Sequence, residues 1–147
     1  MTRKTVRTAK NRENTSFEIL NRDLISRILG TVAPDKAFLF YNEIGKPTGD
    51  FAVSLLDFYN KISTLSPQSL AFHTKRGDFE NWIRETIGDV DLSQRVGKLK
   101  TQKTIWKKPT TLQHKLQNTV KERIEELQDI WPNTLTLPQP IVAEAAI

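Results

Sequence analysis

The chain predicts a mainly α-helical fold: a small compact helical domain carrying one short β-hairpin, followed by a long C-terminal helix. Three observations lead there. Apolar residues recur every three or four positions through most of the length. Serine, proline and glycine punctuate that pattern into short helices with marked starts and stops. One aromatic run breaks the helical period and is followed by a turn signal.

The elements follow in order. Residues 1–15 have almost no apolar content and are expected to form a disordered basic arm. The helical domain with its hairpin spans 16–100. Ser16 caps a first helix with Phe17, Leu20, Leu24, Ile25, Ile28 and Leu29 on one face, ended by Gly30 and Pro34. Lys36–Asn42 reads as a strand, Gly45–Gly49 as a turn and Phe51–Val53 as a returning strand. Two strands alone are marginal, so the hairpin must lie on helices. Ser54 caps a helix with the stripe Leu55, Phe58, Tyr59, Ile62 and Leu65. Ser66-Pro67 opens the next, which carries Leu70, Phe72 and His73 and stops at Gly77. Asp78 is expected to cap a helix burying Phe79, Trp82, Ile83 and Ile87, closed by Gly88. Asp89 or Asp91 starts another, with Leu92, Val96 and Leu99.

A basic linker, 101–109, separates this domain from a long amphipathic helix over 110–131. Leu112, Leu116, Val120, Ile124, Leu127 and Trp131 form a narrow apolar seam on that helix, suited to docking on the domain or to pairing with a partner helix. Residues 132–147 are an apolar, proline-containing tail. The expected core is Phe38, Phe40, Leu55, Phe58, Ile62, Leu70, Phe72, Phe79, Trp82, Ile83, Ile87, Leu92 and Val96.

At 147 residues, 37% hydrophobic and 27% charged, the chain has the composition of one globular domain with tails. It holds no cysteine, which excludes disulfides, thiolate metal sites and a cysteine nucleophile and fits a reducing cytosol. No apolar run approaches the roughly 20 residues of a membrane span. A cytoplasmic protein without membrane contact is the expectation. The net charge of +5 is unevenly spread. Arg3, Lys4, Arg7, Lys10 and Arg12 form one acid-free block, and Lys98, Lys100, Lys103, Lys107 and Lys108 form another. Each block carries +5, so the remainder sums to −5. Such blocks attract polyanions, nucleic acid first among them, or serve as solvated segments. Trp106, among the second set of lysines, can stack on a base or anchor the linker to the core.

Candidate chemistry is sparse. His73 and Asp78 flank a helix corner, and a histidine–carboxylate pair can orient an imidazole as a general base. No serine or threonine is evidently presented as its nucleophile. His73 and His114 are the only histidines, and neither begins a metal-ligand spacing, so neither a metal nor a cofactor is expected. Arg76-Gly77-Asp78 reads as a corner, with glycine for a left-handed turn. Gly45–Gly49 lacks the spacing of a phosphate loop, and Pro47 removes one amide donor. As a groove-reading helix, residues 78–87 would present Glu80 and Glu85 to phosphates, a poor match.

Phe38-Leu-Phe-Tyr41, Gly45-x-x-Thr-Gly49, Ala52-x-Ser-Leu-x-x-Phe58, Ser69-Leu-x-Phe-His73, Arg76-Gly-Asp-Phe-x-x-Trp-Ile83 and Ile87-Gly-Asp89-x-x-Leu92 follow one another in order. This series resembles the mainly archaeal domain of unknown function 5752 family, over about residues 36–100. The resemblance implies an autonomous, mostly helical module and carries no activity with it. His73, Arg76, Asp78, Phe79 and Trp82 match the signature and read as structural. The arm, linker and long helix lie outside the match.

Three functional readings follow. The first is a non-catalytic interaction module that binds a protein partner, or itself, through the seam from Leu112 to Trp131 and the tail. The second is a nucleic-acid-associated protein gripping phosphates of DNA or RNA through 1–12 and 98–108, with Trp106 stacking. The third is an enzyme using His73, Asp78 and Arg76, which requires these side chains to converge on a solvent-filled pocket.

Overall fold

Helices dominate the computed structural model, which describes residues 21–130. Helix α1 occupies residues 21–28 of that span. A 3₁₀ turn, Pro34–Lys36, leads into strand β1, Phe38–Glu43. Strand β2, Lys46–Ala52, returns antiparallel. Then come α2, Leu55–Ile62, α3, Pro67–Arg76, and α4, Asp78–Trp82. A widened π turn, Ile83–Ile87, extends α4, and α5, Val90–Leu99, follows. A second 3₁₀ turn, Lys103–Trp106, precedes α6, Pro109–Ile130.

Local chemistry sets most of these boundaries. Ser54 and Ser66 each accept the amide three residues on, at Asp57 and Ser69. Asp89 does the same for Leu92, which chooses Asp89 over Asp91 as the cap of α5. Gly77 ends α3 at φ 77°, a left-handed conformation open to glycine at little cost. The expectation for Asp78 is corrected here. Gly77 serves as the N-cap of α4 without a side-chain bond, and Asp78 sits inside the helix with its carboxylate turned elsewhere.

The hairpin is longer than its sequence signal. Its turn is Ile44-Gly45, so the expected turn residues Lys46–Gly49 belong to β2. Pairing shifts between Leu39–Phe51 and Tyr41–Pro47, leaving extra residues on β2 around Gly49. Pro47 has no amide to give Tyr41, as suits an irregular edge position. Phe38, Phe40 and Ala52 face inward and are buried, while Leu39 and Phe51 face solvent.

One core joins everything. Phe38 meets Phe58 at 6.3 Å, Phe79 at 5.1 Å and Trp82 at 5.7 Å between ring centres, tying the hairpin to α2 and α4. The Trp82 indole donates to the Lys36 carbonyl at 2.8 Å, which satisfies its N–H inside the core. Every expected core residue is buried except Phe72, which is half-buried at the surface under Arg76. In α1, Ile25 and Ile28 are buried and Leu24 turns outward, while Leu29, just past its end, packs against the core. Phe17 and Leu20 lie outside the described residues.

Helix α6 packs across α2, α3 and α5. Leu112, Leu116, Val120, Ile124 and Leu127 are all at most 3% exposed. The seam therefore completes the chain's own core, which corrects its assignment as a partner surface. A seam that fills its own domain's groove has no apolar area left for a second protein. Trp131 and the tail lie outside the described residues.

Candidate functional site at the hairpin–helix corner

His73 lies on α3 facing β1. Its Nε2 accepts the Tyr41 amide at 2.8 Å, so its proton sits on Nδ1 and is donated to Asp78 Oδ2 at 2.8 Å. Ser69, one turn earlier on α3, donates its hydroxyl to the Tyr41 carbonyl at 2.7 Å. Helix α3 thus supplies both partners that Pro47 and the irregular pairing leave Tyr41 without. His73 is 3% exposed and ringed by Phe38, Phe40, Phe72 and Phe79. Burial among these rings pushes its pKa below the usual histidine value, against the opposing pull of Asp78, and keeps it neutral at pH 7.

Asp78 Oδ2 also accepts Arg76 Nε at 2.9 Å. The Arg76 guanidinium lies over the Phe72 ring, 4.9 Å from its centre. Stacking and the Nε bond fix the plane of the group, while its two terminal amino groups make no bond among the described residues. Asn81 resembles it: its carbonyl oxygen accepts Arg84 at 2.6 Å, leaving the amide nitrogen unspent.

These groups border a cleft of about 560 Å³ between the hairpin and the α3–α4 corner. Phe38, Leu39, Tyr41, Ile44, Phe72 and Trp82 give it apolar walls. Leu39 and Ile44 are 55% and 78% exposed, so a large apolar rim stands in solvent beside two unspent donors. The three residues of the enzyme reading do converge on this cleft. Yet both ring nitrogens of His73 are already committed, one to the backbone, and the ring offers a substrate neither a lone pair nor a proton. Leu39 and Ile44 escaped the sequence reading of the site. Their signal was present as apolar residues in a strand and a turn, without the partner contacts that give them meaning.

The second candidate region is the linker. It is anchored by Ile105, 1% exposed, rather than by Trp106, which is 38% exposed. The indole N–H of Trp106 donates to the Lys100 carbonyl at 3.1 Å, and Lys75 of α3 sits over the ring at 5.0 Å. Lys100 is paired with Glu80 at 2.7 Å, but Lys98, Lys103, Lys107 and Lys108 have no carboxylate partner among the described residues. Arg3, Lys4, Arg7, Lys10 and Arg12 lie outside them. No described helix is long and apolar enough to cross a membrane. Comparison with protein-family models, curated proteins and solved structures finds no match.

Proposed function

We propose that the chain is a non-catalytic interaction module that holds an extended segment of a partner polypeptide in the hairpin–helix cleft. The observation that carries this reading is the fixed, half-spent Arg76 beside an exposed apolar rim. A guanidinium already oriented by Phe72 and Asp78 loses little freedom when it binds. Asp78 balances its charge, so a neutral backbone carbonyl suits it better than a carboxylate does. The free amide of Asn81 is a second donor for such a carbonyl. Leu39, Ile44 and the walls behind them then take an apolar side chain of the same segment.

The commitment of His73 to Tyr41 and Asp78 supports a binding role over a catalytic one, because a base held between two internal partners shapes the cleft without acting in it. The test is selection of peptides from a random display library against the full chain. Enriched peptides should carry a large apolar residue and bind with little dependence on salt. Arg76→Ala and Ile44→Asp should each weaken them about tenfold, the equivalent of 1.4 kcal/mol. Failure to enrich any peptide, or binding indifferent to both substitutions, refutes the reading.

A further inference from the structure

A different face carries an independent inference. Between Asp91 and Glu122 the chain contains no acidic residue. Lys103 and Lys107 flank Trp106 at the two ends of its 3₁₀ turn, Lys108 follows, and Lys75 of α3 lies over its ring. A groove of about 220 Å³ runs there, walled by Lys75, Trp106 and Lys108 and floored by Ile105, Ala71 and Leu112. We infer that this groove is a binding site for single-stranded nucleic acid, with a base stacked on Trp106 and phosphates held by Lys75, Lys103, Lys107 and Lys108.

The argument is one of charge and shape together. Lysines without carboxylate partners keep their full attraction for phosphate, and a run without acids subtracts nothing from it. An exposed indole pinned at its N–H presents a ring already oriented for stacking. Lys75 covers that ring as an exposed side chain, so it can swing to a phosphate and clear the face for a base. Helix α6 starts at Pro109 on the groove's edge, and the positive end of its dipole adds to the field. A duplex hides its base faces, so an aromatic platform of this kind favours an unpaired strand.

Fluorescence anisotropy with labelled 12-mers of oligouridylate and oligodeoxyuridylate, using the full chain, tests the site. Binding of either strand supports it, and the ratio of the two affinities shows whether a 2′-hydroxyl is read. With four phosphates engaged, affinity should fall about 50-fold between 50 and 200 mM salt. Trp106→Ala should weaken binding about tenfold at both salts and leave the salt slope intact, while Trp106→Phe should retain most of the affinity. Lys103→Ala, Lys107→Ala and Lys108→Ala should each make the slope shallower. Lys75→Glu reverses the charge over the ring and leaves the bond from the indole to the Lys100 carbonyl in place, and should cost about tenfold where Lys46→Glu on the hairpin costs less than about twofold. Three outcomes overturn the proposal: no binding at 50 mM salt, polyglutamate binding as tightly as the oligonucleotides, or equal affinity for the wild type, Trp106→Ala and Lys75→Glu. Arg76→Ala should leave oligonucleotide binding unchanged, which separates this site from the peptide cleft.

Discussion

Two charged clusters in this protein use the same residue types to opposite ends. At the α5–α6 junction, Arg123 donates through Nε and Nη2 to Asp89, at 2.7 and 3.2 Å, and through Nη1 to Glu126. Arg95 makes a two-pronged pair with Glu126 at 2.8 and 2.9 Å and reaches Asp91 as well. Every nitrogen of both guanidinium groups is spent, and Asp89 is 2% exposed. At the hairpin corner, Arg76 spends only Nε. The first cluster fastens two helices, and the second stabilises a turn while keeping donors in reserve for another molecule. Counting the unspent hydrogen-bonding capacity of each arginine separates structure from binding more sharply than counting its salt bridges.

The comparison breaks most readily under substitution. Trp82→Ala removes the ring that backs the cleft and the bond to the Lys36 carbonyl. Urea denaturation should register a loss of about 3–5 kcal/mol. Arg123→Ala leaves Asp89 buried without its cation, and should cost about 2–4 kcal/mol, reduced from a fully buried pair because the arginine keeps some solvent contact. Unchanged stability in Arg123→Ala would dissolve the contrast between the clusters. His73→Phe strands the Tyr41 amide and leaves Asp78 Oδ2 with Arg76 as its one remaining partner, for an expected loss of about 1–3 kcal/mol. Arg76→Ala, at a side chain 50% exposed, should cost under about 1 kcal/mol of stability while weakening peptide binding about tenfold.

Acid titration sharpens the comparison further. The pKa of His73 is lower folded than unfolded, so between the two values the unfolded chain binds more protons. Its contribution to stability is complete above the unfolded value of about 6.5 and declines as pH falls toward the folded one. The Glu126 carboxyl is held below its usual value by its hydrogen bonds from Arg95 and then Arg123, and its contribution is lost in a more acidic window, below the normal glutamate value. Denaturation midpoints measured from about pH 8 down to about pH 2.5 should therefore fall in two stages. His73→Gln should flatten the first stage and leave the second.

Much of the framework was legible because it is written locally. Ser54, Ser66 and Asp89 cap because a short side-chain oxygen reaches an amide three residues away, whatever surrounds it. The buried positions of α2 to α5 follow from helical periodicity, which repeats each face every three or four residues. Phe72 lies two positions after Leu70, off the face formed by Ser69, Leu70, His73 and Thr74, and a neighbouring guanidinium covers it in place of the core. The extent of β2 was hidden by Pro47 and Gly49, which mark turns in isolation and an irregular strand here.

The amino-acid sequence by itself determined the helices, the hairpin and the residues with enough apolar surface to gather into a core, since these depend on neighbours a few positions away. Tertiary structure alone decided that the long seam turns inward, that the Tyr41 backbone claims both the His73 ring and Ser69, and that Lys75 joins the linker's tryptophan. Each of those outcomes pairs groups about thirty or more residues apart, or sets one whole surface against another, and only the folded chain brings them within contact distance.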